Sequence, residues 1–139
     1  MANVCIIEEE DVNIVMHKDV LIVENDVGVN NLLVEFMKHE GFSFDSARKA
    51  KGACELIKTT KYKVIIMDIK LNGVNGVELC LAIRKVDKDV AIFAITGLTQ
   101  LIDEGNLGLA GFDKIFAKPD GWKDLVKAIE GELDVNVRR

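Results

Sequence analysis

Four apolar runs in this 139-residue chain end in polar residues whose types suit the binding and transfer of a phosphoryl group. The residues that follow these runs are Glu24, Asn25, Asp26, Asp68, Thr96, Gly97, Lys118 and Pro119. A carboxylate can attack phosphorus and carry the phosphoryl group as a mixed anhydride. Because nucleophile and phosphoryl group are both anions, such a reaction needs a cation between them, and Mg²⁺ is commonly held by one or two carboxylates.

Each of these side chains has a candidate role in that chemistry. Asp68 ends the most continuous apolar run and is the candidate nucleophile, while Glu24 and Asp26 offer anionic oxygens to a metal ion. Thr96 and Lys118 offer hydrogen-bond donors to the charge on the phosphoryl oxygens. A plainer interpretation stays open, because Asp and Asn also cap helices and turns.

These residues can meet only if the chain folds as alternating strands and helices. Short apolar, β-branched runs predict strands at 19–23, 42–46, 63–68, 89–96 and 112–118. Apolar residues at helical spacing follow the strands, but the segment 97–112 contains four glycines and predicts a short or mobile fourth helix. Alternation of this kind predicts βαβ units with helices on both faces of a parallel sheet.

The apolar character of the strands predicts their order in the sheet. The first, third and fourth strands are continuous apolar runs, as expected of strands covered on both faces, whereas the second and fifth suit the edges. The resulting order, 2-1-3-4-5, is that of flavodoxin-like α/β folds, which bind ligands beyond the carboxyl ends of their strands. Asp68, Thr96, Lys118 and the acidic residues after the first strand should therefore converge on one crevice.

The composition narrows the function classes. A net charge of −5 and a pI near 5.1 argue against a nucleic-acid surface, and no apolar stretch is long enough to span a membrane. The amino terminus carries no secretory signal pattern. Cys5, Cys54 and Cys80 have neither metal nor redox spacing, which favours free thiols in a reducing cytoplasm.

We expect one folded domain over residues 18–134, with residues 1–17 as an amino-terminal extension and residues 135–139 as a carboxyl-terminal tail. The extension does not fit the alternation, because its apolar pieces 3–7 and 12–16 flank an acidic run. We expect a loosely held tail, with a strand added to a sheet edge or to a partner as the alternative.

The segments VLIVEND, VIIMDIKLNGVNG, AIFAITG and GFDKIFAKP, with the spacing between them, resemble the receiver domain of bacterial two-component response regulators, the family of the chemotaxis regulator. The resemblance covers about residues 19–133. Each segment alone is a weak signal, but the ordered set on a fivefold βα alternation is specific.

The resemblance implies a phosphorylation site that binds Mg²⁺. Asp68 falls on the phosphoacceptor aspartate. Glu24 and Asn25 fall on the acidic pair that positions the metal together with Asp68. Lys70 falls on the residue whose backbone carbonyl completes the metal shell.

The resemblance also implies a set of switch residues. Thr96 falls on the hydroxyl residue that follows the phosphoryl group, and Ile115 falls on the aromatic switch position. Lys118 falls on the family's lysine, which a cis bond before Pro119 would aim into the crevice. Further auxiliary candidates are Asp26, Gly97 and the side chain of Lys70.

The sequence departs from the family pattern at several of these positions. Asn25 replaces a residue that is commonly Asp and a metal ligand, so metal affinity should fall. Lys70 adds a cation where the family often has a neutral side chain. Asn72 replaces a common proline, and Ile115 replaces an aromatic residue. Neighbouring Phe116 should point to the opposite face of its strand.

The function implied is a phosphorylation switch rather than an enzyme with a separate substrate. It would accept a phosphoryl group from a histidine kinase or phosphotransfer protein and lose it by attack of water on phosphorylated Asp68. A downstream protein partner, not nucleic acid or a membrane, would bind the face made by the fourth helix, fifth strand and last helix, and a homodimer is compatible with the family. Phosphorylation is expected to order the glycine-rich fourth helix through Thr96.

Three other interpretations stay open. A pseudo-receiver, an adaptor that is never phosphorylated, is favoured by Asn25 and Ile115. An aspartyl hydrolase of the haloacid dehalogenase type would need a second Asp at the position of Lys70. A flavodoxin would need a Ser/Thr/Gly-rich phosphate loop where this chain has ENDVGVN.

Overall fold

The computed structural model describes residues 6–71, 74–97, 108, 110–117 and 121–134. Its strands are β1 (Met16–Val23), β2 (Phe44–Ala47), β3 (Thr60–Asp68), β4 (Lys70–Leu71), β5 (Val74–Asn75), β6 (Ala91–Thr96) and β7 (Lys114–Ala117). Its helices of two turns or more are α1 (Val27–Glu40), α2 (Ala50–Thr59), α3 (Gly76–Val86) and a C-terminal helix (Trp122–Asp134).

Five strands form one parallel sheet in the order β2-β1-β3-β6-β7. This is the order that the apolar pattern predicts, with the two less apolar strands at the edges. All six residues of β6 are buried, as are the last five of β3. Strands covered on both faces need this continuous apolar character, so the prediction of the flavodoxin-like fold is confirmed.

Helices cover both faces of the sheet, and the sheet separates the core into two clusters. The first core cluster joins one face to α2 and α3, with Cys54 and Ile83 among its members. The second core cluster joins the other face to α1 and the C-terminal helix, with Met37 and Ile129 among its members. α1 ends at Gly41, whose φ of 77° is the left-handed conformation that glycine adopts without strain.

The structure differs from the predicted elements at strand ends and by one added pair of short strands. β1 begins at Met16 and β3 at Thr60, so these two strands extend beyond the rest of the sheet at their amino ends. The short antiparallel pair β4 and β5 was not predicted, because two-residue strands carry no periodicity in sequence. The predicted fourth helix falls mostly outside the described residues.

The described part of the amino-terminal extension, from residue 6 onward, packs against the sheet and α2 and is not loosely held. Ile7 is 1% exposed and belongs to the first core cluster. The backbone N–H groups of Asn13 and Val15 donate to the carbonyl oxygens of Lys58 and Thr59 at 2.8 and 2.9 Å. Burial of this large aliphatic side chain, at about 25 cal/mol per Å² of apolar surface, and the two backbone hydrogen bonds offset part of the entropy lost by ordering the segment.

The cysteines differ from the expectation of free thiols. Cys54 is disulfide-bonded, so that expectation is wrong for this residue. Cys80 is a free, buried thiol, and burial raises its pKa to about 12. A thiol that stays protonated at neutral pH is a poor nucleophile, which makes Cys80 a packing residue of α3.

Among the described helices, none combines the length and the apolar character that crossing a membrane requires.

Candidate functional site

The sheet register brings Glu24, Asp68 and Thr96 to one edge of the sheet. Val23 pairs with Met67, which places the next residues, Glu24 and Asp68, side by side on neighbouring strands. Asp68 pairs in turn with Ile95, the residue before Thr96. Glu24 is fully buried, and Asp68 and Thr96 are 8% and 5% exposed. The backbones of the three residues therefore lie at one edge of the sheet, as the predicted convergence requires.

Glu24 is fixed by its own loop and by α1. Its Oε2 accepts a hydrogen bond from the backbone N–H of Asp26 at 2.9 Å. Its carbonyl oxygen accepts from Nδ2 of Asn30 at 3.1 Å, and Oδ1 of Asn30 accepts from the Ser46 hydroxyl at 3.0 Å. The buried Asn30 thus ties the ends of β1 and β2 to α1. Sequence reasoning missed it, although a polar residue on the buried side of a helix is a signal.

Asp26 and Asn25 have separate tasks. Oδ1 of Asp26 accepts from the backbone N–H of Val29 at 2.9 Å and so caps the amino terminus of α1. Asn25 is partly buried, and its carbonyl oxygen accepts from Nη2 of Arg48 at 3.3 Å. The expectation that one residue of this group caps the helix is confirmed.

Asp68 ends β3 at the centre of the sheet, and the turn that follows orients its carboxylate. Oδ1 accepts from the backbone N–H of Lys70 at 3.0 Å. The N–H of Ile69 donates to the carbonyl oxygen of Ile95 at 3.1 Å, which prolongs the ladder past the strand end. The side chain of Lys70 is exposed.

Gly76, the first residue of α3, presses against this turn. Its N–H donates to the carbonyl oxygen of Ile69 at 2.7 Å. A methyl group at Gly76 would lie 2.7 Å from the carbonyl oxygen of Asp68 and 2.8 Å from Cα of Ile69. Only glycine leaves room for this approach. The contact of Gly76 with the candidate site is visible only in the folded chain.

The last strand places its two central side chains on opposite faces. Ile115 packs against the first core cluster and Phe116 against the second. Phe116 meets Phe93 edge to face, with ring centroids 5.7 Å apart. The prediction that Phe116 points to the opposite face of the strand from Ile115 is therefore confirmed. Lys118, Pro119 and Asn72 lie outside the described residues, and Gly97 is exposed.

Metal-binding residues are sparse at this edge. Within the described ranges no three His, Cys, Asp or Glu side chains are grouped so that they could hold a metal ion. Glu24 and Asp68 supply two carboxylates, and the neutral Asn25 stands where a third would raise the charge. Two carboxylates are nonetheless within the range that Mg²⁺ uses when phosphate and water complete its shell.

A family model described as the response regulator receiver domain matches residues 20–130. The chain belongs to this family. This receiver domain is 30% identical over 114 residues to the uncharacterized transcriptional regulatory protein YrkP of Bacillus subtilis, covering 82% of this chain and 48% of YrkP. It is 28% identical over 122 residues to the DNA-binding response regulator MtrA of Mycobacterium tuberculosis, covering 87% of this chain and 53% of MtrA. The receiver domain spans about half the length of these relatives.

Solved structures of receiver domains share its architecture. A CheY-like receiver domain protein from Methanospirillum hungatei superimposes with a TM-score of 0.75 at 27% identity, covering 84% of this chain and 94% of that one. TrrA from Thermotoga maritima, in complex with Mg²⁺-BeF, gives 0.73 at 25% identity, covering 83% and 98%. The receiver domain of Ssk1 from Saccharomyces cerevisiae, in complex with the histidine phosphotransfer protein Ypd1, gives 0.73 at 26%, covering 82% and 87%.

Proposed function

We propose that Asp68 accepts a phosphoryl group from a histidine kinase or phosphotransfer protein, and that this switches the binding of a downstream protein partner. The observation that carries the proposal is the position of Asp68. It is a buried carboxylate at the carboxyl end of the central strand, beside Glu24 and one strand from Thr96. We place this function in a domain of residues 18–134, acting in the cytoplasm.

The proposed reaction transfers one phosphoryl group in two steps. A carboxylate oxygen of Asp68 bonds to phosphorus while the P–N bond of a phosphohistidine donor breaks, and the departing imidazole takes up a proton. Water later attacks phosphorus, the bond to Asp68 breaks, and inorganic phosphate and the free carboxylate are released. Receiver domains are not enzymes in the usual sense, because the protein itself is the phosphoryl acceptor.

Mg²⁺ fits the donor set of this chain. Glu24, Asp68 and the backbone carbonyl of Lys70 would hold it, with Asn25 contributing a neutral oxygen in place of a charged one. The bound ion would screen the repulsion between the Asp68 carboxylate and the incoming phosphoryl oxygens. With two carboxylates and not three, we propose weak binding of the metal.

The switch would run through Thr96, Lys118 and Ile115. Thr96 is buried at the end of β6 and pairs with Ala117 of β7, next to Lys118 in the chain. Movement of the Thr96 hydroxyl toward a phosphoryl oxygen would shift β7. The surface that β7 forms with the C-terminal helix would then change its shape. Ile115 offers no phenol group, so we propose that aliphatic packing against the first core cluster replaces the aromatic part of the switch.

A pseudo-receiver is the second candidate, because Asn25 lowers the charge of the metal site. Incubation with acetyl phosphate, with and without Mg²⁺, separates the two when intact mass is recorded. We expect a phosphoryl adduct that is absent in Asp68→Asn and retained in Asp89→Asn, an exposed aspartate outside the site. Absence of an adduct with both acetyl phosphate and a phosphohistidine protein would assign the chain to the adaptor class.

A further inference from the structure

A groove of about 770 Å³ opens beside Asn25, where β2 ends and α2 begins. Three cationic side chains, Arg48, Lys49 and Lys51, line it. All three residues are exposed. The groove holds one acidic residue, Glu55, whose Oε2 already accepts from Nζ of Lys58 at 3.2 Å. The groove is therefore a cationic patch on a chain whose net charge is −5.

These three cations differ from many others in the molecule. Within the described ranges, none of the three forms an ion pair. Lysine and arginine residues that do pair with acids there include Lys18, Lys38, Lys58, Lys61, Lys63 and Arg84. The charge of the groove is thus open to an anion from outside the chain.

The groove is continuous with the candidate site. The N–H of Glu24 donates to the carbonyl oxygen of Ala47 at 3.0 Å. The pairing of β1 with β2 therefore continues one residue past the strand ends, where Glu24 lies opposite Arg48. On its other side, Glu24 lies opposite Asp68 of β3. With neighbouring strands about 4.8 Å apart, the backbones of Arg48 and Asp68 are separated by roughly 10 Å. Arg48 already reaches toward the site, since its Nη2 contacts the carbonyl oxygen of Asn25.

We propose that this groove binds small phosphoryl anions and holds them beside Asp68, with Arg48 as a positioning residue. The inference rests on the proposed function, because it names a donor class for the same site. A guanidinium presents a planar fork of donors that matches phosphate oxygens, and two neighbouring lysines add charge. Asn25 favours this arrangement, because a carboxylate at that position would compete with the phosphate for Arg48.

Phosphorylation rates with two small donors, acetyl phosphate and phosphoramidate, test the inference. The variant is Arg48→Gln/Lys49→Gln/Lys51→Gln, and the matched control is Lys85→Gln/Lys88→Gln/Lys127→Gln, which removes the same charge from exposed positions elsewhere. At low salt we expect the groove variant to react about tenfold more slowly than the control with both donors, as for electrostatically guided association. At about 0.5 M salt the difference should shrink, because the screening length falls to a few ångströms. Equal rates of the two variants at low salt would overturn the proposal.

A binding measurement separates the groove from the phosphorylation chemistry. In Asp68→Asn, which has no phosphoacceptor, phosphoramidate should still shift the backbone amide signals of residues 48–52 in a saturable manner, and the three Gln substitutions should abolish the shifts. Shifts of these amides in a protein that is never phosphorylated would support the groove and reject the proposed function. Phosphorylation of the unaltered chain without such shifts in Asp68→Asn would reject the groove alone.

Discussion

At the amino ends of the strands, carboxylates are bound by side-chain cations, whereas at the carboxyl ends backbone groups orient them. Arg84 of α3 shows the first arrangement. Its guanidinium donates to the carbonyl oxygens of Val90 and Gly111 at 2.6 and 2.7 Å and to Oδ2 of Asp113 at 2.9 Å. One side chain thereby joins α3 to the starts of β6 and β7.

A second cluster at the amino ends repeats this arrangement. Lys18 and Tyr62 both donate to the carboxylate of Asp45, at 2.7 and 2.6 Å. Burial, together with the hydrogen bond to Asp45, raises the pKa of Tyr62 well above its usual range. The phenol therefore stays protonated and remains a hydrogen-bond donor at neutral pH.

At the carboxyl ends of the strands, backbone N–H groups donate to the carboxylates. The N–H groups of Asp26 and Lys70 hold one oxygen each of Glu24 and Asp68. A backbone N–H fixes the direction of a carboxylate oxygen, and a site for a metal ion and a phosphoryl group needs such fixed directions. The comparison shows that side-chain cations join structural elements at the amino ends, while backbone N–H groups orient the two carboxylates of the candidate site.

Substitution of Arg84 should have the largest effect on the amino-end cluster. Arg84→Met removes bonds to three carbonyl oxygens, those of Asp87, Val90 and Gly111, and to one carboxylate. We expect the free energy of unfolding to fall by about 3 kcal/mol. Urea unfolding measures this, with Lys85→Met, an exposed neighbour, as the control. Loss of less than about 1 kcal/mol would show that the Arg84 cluster is not structural.

The second largest effect on stability is expected at the carboxyl ends of the strands, beside Asp68. Gly76→Ala forces a methyl group into the backbone of Asp68 and Ile69, so we expect a loss of about 2 kcal/mol and slower phosphorylation. Gly131→Ala is the matched control, because a methyl group there meets nothing within 4 Å in a helix that glycine weakens. That control should gain up to about 1 kcal/mol. Normal phosphorylation of Gly76→Ala would mean that the turn after Asp68 does not set the site geometry.

The charge of the metal site can be raised by one residue. Asn25→Asp adds a carboxylate beside Glu24, and we expect Mg²⁺ to bind about tenfold more tightly, since unit charges a few ångströms apart interact by more than 1 kcal/mol. Calorimetric titration with Mg²⁺ measures the change. Asn31→Asp, at an exposed position of α1, adds the same charge away from the site and should change affinity little. Equal affinities in the two variants would remove Asn25 from the metal site.

The smallest effect is expected for the phenol of Tyr62. Tyr62→Phe keeps the ring in the first core cluster and leaves Lys18 to bind Asp45. The loss of one hydrogen bond should cost about 1 kcal/mol in thermal or urea unfolding. An unchanged stability would show that Lys18 alone satisfies the Asp45 carboxylate.

The sequence predicts the sheet well, because each strand is recognised from its own short run of residues. Buried strands such as β6 are unbroken apolar runs, and the polar residues that end them mark the carboxyl edge. Contacts between distant residues are not visible in this way. The bonds of Arg84 to Gly111 and Asp113 cross 27 and 29 residues, and nothing in the helical pattern of α3 indicates them.

In the candidate site too, some residues could be predicted from the local sequence and others could not. Asp68, Glu24 and Thr96 could be identified as candidates because each ends or directly follows a strand. The roles of Asn30 and Gly76 depend on which backbone lies opposite them in the folded chain, and the spacing of residues does not encode that. Residues 6–15 were misjudged for a related reason, since a short apolar segment gains its energy from a core formed elsewhere in the chain.

The burial of Ile7 has a practical consequence for anyone who trims this chain. The family match starts at residue 20, and a version cut there would keep every proposed site residue. It would also remove a side chain that is 1% exposed and leave a vacancy in the first core cluster. Water would fill this cavity, or α2 would move into it. Either change would alter the cationic groove, so measurements on a trimmed domain would describe a different binding surface.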